Sequence, residues 1–331
     1  MIISDLCERI EKIKDSVVRI PDKKITHHNY DPSKRIPSFA VFILTYGRPD
    51  VITYNTMTEE SREFNQDLYF ICSTDDKHLD TYIEKYGERV IVFDKTKVSP
   101  YIDTGDNLEK MNIVVYARNA AFSIAKMLGY QNFCVLDDDY NDFRQRFLNY
   151  EDKYLGSYTT KDLDRMLKVH NDFLNSTPIT CITMSQIGDY IGGIQNSYVV
   201  RGYQRKVMNS FFCDVDKPFF FDGTINEDVN YYVQSGRIGI LNFNLFGFAL
   251  NQGQTQKNPG GLTEHYLDGG TYLKSFYSVM FSPSSVKVST LSHGANARMH
   301  HHVNSNLTYP MIMDEKYKSN SYFDIHPDDE W

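Results

Sequence analysis

Residues 132–143 read "NFCVLDDDYNDF", which sets three consecutive carboxylates, Asp137, Asp138 and Asp139, directly after the apolar run Phe133 to Leu136. Ionised side chains crowded at the end of a buried strand repel one another and resist leaving water. A solvated acidic turn relieves that conflict, and so does a cation. In an extended strand end the side chains alternate, so Asp137 and Asp139 point to one side and Asp138 to the other. Two carboxylates about 6–7 Å apart at Cα suit a hard divalent ion such as Mg2+ or Mn2+, with substrate diphosphate and water completing its shell. Such an ion would also stabilise a departing phosphate. A second group is "VRGYQRKVMN" (200–209), where Arg201, Arg205 and Lys206 stand beside Tyr198 and Tyr203. Basic residues interleaved with aromatics can grip a nucleic-acid backbone and stack a base. A charged hairpin flank has the same composition.

Strands and helices must hold these groups in place, and the chain supplies them in alternation. "SFAVFILTYGRP" (38–49), "LYFICSTDD" (68–76), "RVIVF" (89–93) and "NFCVL" (132–136) are apolar, β-branched strands. Helical spacing falls between them over 78–87 and over 107–129, each run ending in glycine. This order predicts an α/β fold with a mostly parallel sheet flanked by helices. Ligands of such sheets collect at the carboxyl ends of the strands. Thr45 to Arg48, Ser73 to Asp76 and Asp137 to Asp139 all lie there. Residues 4–18 read as an amphipathic helix followed by a polar connector to residue 37. A helix over 160–175 and strands over 178–187 and 237–250 give a less regular C-terminal half. The polar, glycine-bearing stretch 251–266 reads as a lid or acceptor loop, and the tail from 311 as an irregular arm. The expected division is an N-terminal helix and connector over 1–37, one domain over 38–310 and a tail over 311–331.

A chain of 331 residues with 41% hydrophobic residues has ample material for a core. Thirty-five basic against 43 acidic residues give a net charge of −8, which argues against a surface that coats polyphosphate generally. Five scattered cysteines without a CxxC pair exclude a disulfide framework and a zinc knuckle, and point to a reducing cytoplasm. No run approaches the roughly 18 apolar residues of a membrane span.

"ARNAAFSIAKMLGYQNFCVLDDDY" (117–140) places an Arg-Asn pair on a helix, then a glycine, then the acidic strand. That order resembles the signature of nucleotide-sugar glycosyltransferases with the GT-A fold. Together with "FAVFILTYGRPDVITYNTM" (39–57) it is most similar to the TET-associated glycosyltransferase group, found largely in phages and linked to sugar transfer onto modified DNA bases. The resemblance covers residues 38–145 well. It implies that Arg118 and Asn119 meet the nucleotide and that Asp137 and Asp139 hold Mn2+ or Mg2+ on the sugar diphosphate, with Asp138 beside them. Thr45, Gly47, Arg48, Pro49 and Thr53 match the turn after the first strand. There Gly47 allows close backbone approach and Arg48 supplies a fixed cation. Asp75 or Asp76 would accept a hydrogen bond from the base or ribose, while capping of the 78–86 helix is the other use of Asp76.

In "FFFDGTINEDVNYYVQSGRIGIL" (219–241), Glu227 and Asp228 open a helix. The family likeness makes Asp228 the general base of an inverting transfer, with Glu227 second. Acidic residues also favour helix N-termini through the macrodipole. In "SHGANARMHHHVN" (292–304), the resemblance makes one histidine a third metal ligand, His300 first among His300, His301 and His302. The implied activity is metal-dependent transfer of a sugar from a nucleoside diphosphate donor, a UDP-sugar first, to a hydroxyl acceptor. The implied acceptor is a hydroxylated pyrimidine in phage DNA, and the implied location the host cytoplasm. Other readings of the same residues are transfer to polysaccharide or protein, a metal-dependent nuclease or phosphotransferase, and a catalytically silent nucleotide-binding module.

Overall fold

The computed structural model describes residues 3–26, 30–103, 111–149, 154–190, 195–200, 205–252, 273–293 and 296–308. Its strands are β1 (Val17–Arg19), β2 (Phe39–Leu44), β3 (Asp67–Ser73), β4 (Val90–Phe93), β5 (Asn132–Asp137), β6 (Tyr140–Asn149), β7 (Tyr154–Thr159), β8 (Cys181–Gln186), β9 (Phe211–Asp214), β10 (Asn242–Gln252), β11 (Val286–His293) and β12 (Asn296–Val303). The helices are α1 (Ile3–Ile13), α2 (Ile52–Met57), α3 (Leu79–Tyr86), α4 (Val115–Met127), α5 (Leu163–Ser176), α6 (Ser197–Val200) and α7 (Glu227–Ser235), with a further helix over 273–281.

One sheet of ten strands runs in the order β1-β4-β3-β2-β5-β9-β8-β10-β6-β7. Its block β4-β3-β2-β5 is parallel, so four strand ends carrying Phe93, Ser73, Leu44 and Asp137 share one edge. Beyond β5, β9 runs antiparallel and the pairing becomes mixed. The α/β class expected from the alternating strands and helices is therefore present.

Both faces of the parallel block are buried, and period-two alternation divides its side chains between two cores. Ala40, Phe42 and Leu44 of β2 join Tyr69, Ile71, Phe133 and Val135 beneath α1 and α4. Phe39, Val41 and Ile43 join Leu68, Phe70, Cys134 and Leu136 on the other face, with Met57, Tyr82 and Leu167 of α2, α3 and α5. Each fully buried phenylalanine contributes roughly 1.5–3 kcal/mol relative to exposure, and truncating Phe42 to alanine would cost about 3–5 kcal/mol.

Several boundaries differ from the sequence expectation. The N-terminal helix stops at Ile13, and Val17 instead opens β1, which pairs antiparallel with β4. The helix expected over 107–129 spans Val115–Met127; it ends where Gly129 takes the left-handed conformation at φ +71 and Tyr130 N donates to Ala125 O at 2.9 Å. Residues directly after the aspartates form the hairpin β6–β7, which their mixed composition did not announce. The 253–266 part of the acceptor loop and the tail lie outside the described residues.

Candidate active site

The carboxyl edge of the parallel block ties its strand ends together. Thr45, just past β2, donates to Asp138 Oδ2 at 2.8 Å, and Arg48 Nη2 lies 2.9 Å from Asp138 Oδ1. The Arg48 backbone N–H donates to the Tyr82 hydroxyl at 2.8 Å, which is 2.7 Å from the Thr45 hydroxyl. Asp138 is thus gripped from two directions. Burial nevertheless pushes its carboxyl up to about 7, against the pull of Arg48. Gly47, at φ +74, turns the chain so that its N–H donates to Asp76 Oδ2 at 2.7 Å. The other oxygen of Asp76 accepts from His78 N at 2.9 Å, at the start of α3. Both oxygens of Asp76 are therefore engaged in the turn and in the cap. Its neighbour Asp75 takes the Ser73 hydroxyl at 2.6 Å and the Lys95 ammonium at 2.7 Å, yet its side chain stays 49% exposed.

The acidic turn itself is fixed by α2. Thr53 donates its hydroxyl to Asp137 O at 2.6 Å and its N–H to Asp138 O at 3.1 Å, and its hydroxyl accepts from Tyr140 N at 2.9 Å. Asp137 faces Arg118, whose Nη2 lies 3.1 Å from Oδ1, and the Tyr140 hydroxyl donates to Oδ2 at 3.1 Å. Asp139 accepts from Gln252 Nε2 at 3.0 and 3.1 Å. Burial raises the Asp139 carboxyl, and the charge of Asp137 raises it further, so these two carboxylates repel each other across the turn.

That repulsion, and a donor set made only of hard oxygens, fit a divalent cation. His300 does not complete the set. No three His, Cys, Asp or Glu side chains among the described residues are arranged to hold a metal ion. His300 instead packs against His301 with ring centroids 4.2 Å apart on β12.

Arg118 and Asn119, which the resemblance set on the nucleotide, are both buried here, Arg118 being 4% exposed. Asn119 Nδ2 donates to Phe221 O at 3.0 Å and its Oδ1 accepts from Phe221 N at 2.9 Å, which uses both ends of the amide. Arg118 pairs with Asp137 on one side and with Glu227 on the other, at 2.5 Å. The cause is the placement of α4, whose first turns are covered by the 219–221 segment.

Glu227 and Asp228 open α7 after Asn226, which sits in the left-handed conformation at φ 54. Glu227 is buried, and burial pushes its carboxyl up to about 7 although Arg118 opposes this. Asp228 is half-buried and accepts only from its neighbour Val229 N, at 2.8 Å, among the hydrogen bonds of the described residues. Its charge and those of Asp137 and Glu227 act together on Arg118.

Of the basic segment, the described residues Arg205 and Lys206 face inward to the protein's own groups. Arg205 Nε donates to Asp189 Oδ1 at 2.7 Å, and burial and Arg205 together lower the Lys206 ammonium. Arg201 and Tyr203 lie outside the described residues, as does the side chain of Tyr198. Tyr82, Gln252 and Lys95 escaped the sequence reading. Lys95 follows a strand end and was legible on that ground, whereas Tyr82 and Gln252 carry no local signal.

The profile of the TET-associated glycosyltransferase family matches residues 39–261, which span β2 to the acidic turn, α7 and β10. The chain belongs to that family. It is a glycosyltransferase. No curated protein matches this glycosyltransferase in sequence. Among solved structures it is similar to glucosyl-3-phosphoglycerate synthase from Mycobacterium tuberculosis in complex with Mg2+ and uridine-diphosphate, at 10% identity and TM-score 0.40, over 80% of this chain and 87% of that one. The same enzyme in complex with Mn2+, UDP-glucose and phosphoglyceric acid matches at 11% identity and TM-score 0.39, over 78% and 88% of the two chains. No helix among the described residues of the glycosyltransferase is long and apolar enough to cross a membrane.

Proposed function

We propose that this glycosyltransferase moves a sugar, with inversion, from a UDP-sugar to the hydroxyl of a modified pyrimidine in DNA. The observation that carries the reading is the guanidinium of Arg118, which bridges Asp137, in the acidic turn with Asp139, to Glu227, the residue before Asp228. A donor-side acid pair and an acceptor-side acid pair thereby meet at one edge of the sheet.

Asp137 and Asp139 would hold Mg2+ or Mn2+. When bound, the ion neutralises the charge that develops on the leaving diphosphate. Arg48 has a half-exposed side chain anchored at one end by Asp138, which leaves guanidinium N–H groups for nucleotide or phosphate. Asp75 remains exposed enough to accept from ribose or base. Asp228 is the base, removing the proton from the acceptor hydroxyl as the new glycosidic bond forms. Glu227 is unsuited to that role because it is buried and committed to Arg118. The DNA acceptor follows the family resemblance, and a duplex substrate would have to extrude its base to reach Asp228.

The test is to incubate the protein with Mn2+ or Mg2+ and a panel of nucleotide sugars, with and without hydroxymethylated DNA, and to measure released nucleoside diphosphate. Release should depend on metal and on the hydroxylated base. Asp137→Asn and Asp139→Asn should each lower it at least about a hundredfold. Equal binding of UDP-sugar by metal-stripped and metal-loaded protein would overturn the donor site. Release that responds to polysaccharide and ignores DNA would replace the acceptor.

A further inference from the structure

Arg118 is a buried cation whose two terminal nitrogens are paired while its Nε has no hydrogen-bond partner among the described residues. Its Nη1 donates to Glu227 Oε1 at 2.5 Å, and its Nη2 to Asp137 at 3.1 Å. The guanidinium lies over the ring of Phe211 at 5.0 Å and over that of Phe221 at 5.7 Å. Although burial opposes its charge, Asp137 and Glu227 hold it protonated above the ordinary arginine range. The next residue, Asn119, clamps the Phe221 backbone in both directions. A single turn of α4 therefore grips the tip of β5, the 219–221 segment and the first residue of α7.

Glu227 is gripped in turn from behind. Asn226, left-handed at φ 54, directs Nδ2 to Lys274 O at 2.6 Å and to Ser278 Oγ at 3.2 Å on the 273–281 helix. Asparagine adopts this conformation more readily than other non-glycine residues, and these two bonds hold it there. Glu227 and Asp228 are thus set by two anchors, Arg118 ahead and the 273–281 helix behind.

We infer that Arg118 and Glu227 form a positioning pair that fixes the distance between Asp137, at the donor diphosphate, and Asp228, at the acceptor hydroxyl. The inference rests on the donor and acceptor roles proposed above. It assigns Arg118 to neither substrate. A guanidinium fork spans two carboxylates at fixed geometry, whereas the ammonium of lysine is a point charge on a flexible stem. Misplacing a base by about 1 Å can lower turnover by roughly a hundredfold.

The experiment compares Arg118→Lys, Glu227→Gln and the double variant Arg118→Met/Glu227→Met, which replaces the ion pair by apolar side chains and guards against a lone buried charge. Three quantities are read: UDP affinity by calorimetry, kcat and KM for transfer, and amide hydrogen exchange over 226–230. Both single variants should lower kcat by about a hundredfold, leave UDP affinity within about threefold, and speed exchange at the start of α7. The double variant should be no worse in kcat than the single ones, because the pair acts as a unit. A tenfold or greater loss of UDP affinity in Arg118→Lys, with transfer intact in Glu227→Gln, would overturn the pair and return Arg118 to the nucleotide. Hydrogen exchange needs no substrate, so unchanged exchange over 226–230 in both single variants overturns the inference even in a protein that shows no transfer. Absence of transfer with faster exchange would instead count against the acceptor and donor roles alone.

Discussion

Arg48 reaches Asp138 twice. Its guanidinium lies 2.9 Å from Oδ1, while its backbone N–H donates to the Tyr82 hydroxyl, which adjoins the Thr45 hydroxyl that donates to Oδ2. The closed circuit joins β2, α3 and the tip of β5, and it aims a half-exposed arginine at the carboxyl edge of the sheet.

Removing one link of this circuit should loosen the whole. Tyr82→Phe leaves the Arg48 N–H and the Thr45 hydroxyl short of a buried partner, a loss of about 1–3 kcal/mol. Urea unfolding should show that loss, accompanied by weaker UDP affinity because Arg48 is less fixed. Stability equal to wild type would mean that water replaces the hydroxyl without penalty.

Asp138 should make stability depend on pH. Its carboxyl is raised from the ordinary 3.8 to about 7, so the folded protein holds this proton more tightly than the unfolded chain does. The resulting stabilisation is complete below the unfolded value and disappears as pH rises through about 7. In chelator-treated protein, Asp138→Asn should abolish this component, of order 1–4 kcal/mol between pH 4 and pH 8. Glu227, raised to about 7 from 4.5, should leave a second component of the same sign in the variant. Parallel stability curves for wild type and Asp138→Asn would refute the assignment.

Asp228→Asn should lower transfer turnover by about 10²–10⁴-fold while UDP binding stays intact, as measured by single-turnover kinetics and calorimetry. Turnover near wild type would remove Asp228 from the chemistry.

Two glycines should respond differently to alanine. Gly47 is at φ +74 with nothing within 4 Å of an added Cβ, so Gly47→Ala meets backbone strain alone, about 1–2 kcal/mol. Gly223 is at φ +84 and an added Cβ would lie 2.7 Å from the Tyr277 ring, so steric conflict is added to the strain. Thermal melts should rank Gly223→Ala clearly below Gly47→Ala.

The sequence by itself determined the parallel block, because apolar strands buried on both faces leave a continuous record in the chain. It also placed the polar groups of Thr45 to Arg48, Asp75 and Asp137 to Asp139 at the strand ends, since each directly follows an apolar run. The local glycine stops and the acidic start of α7 were legible for the same reason: their causes lie within a few neighbouring residues.

Only the tertiary structure decided what those groups face. Arg118 and Asp137 are 19 residues apart and Arg118 and Glu227 are 109 apart, and nothing near any of them records the ion pairs. Gln252 reaches Asp139 across 113 residues through the pairing of β10 with β6. Burial set the rest. It enclosed Arg118 and Asn119 among internal partners, and it raised Asp138 and Glu227 toward neutrality. A residue type states which charge or hydrogen bond is on offer; solvent exclusion and distant partners, which exist only after folding, fix how it is used.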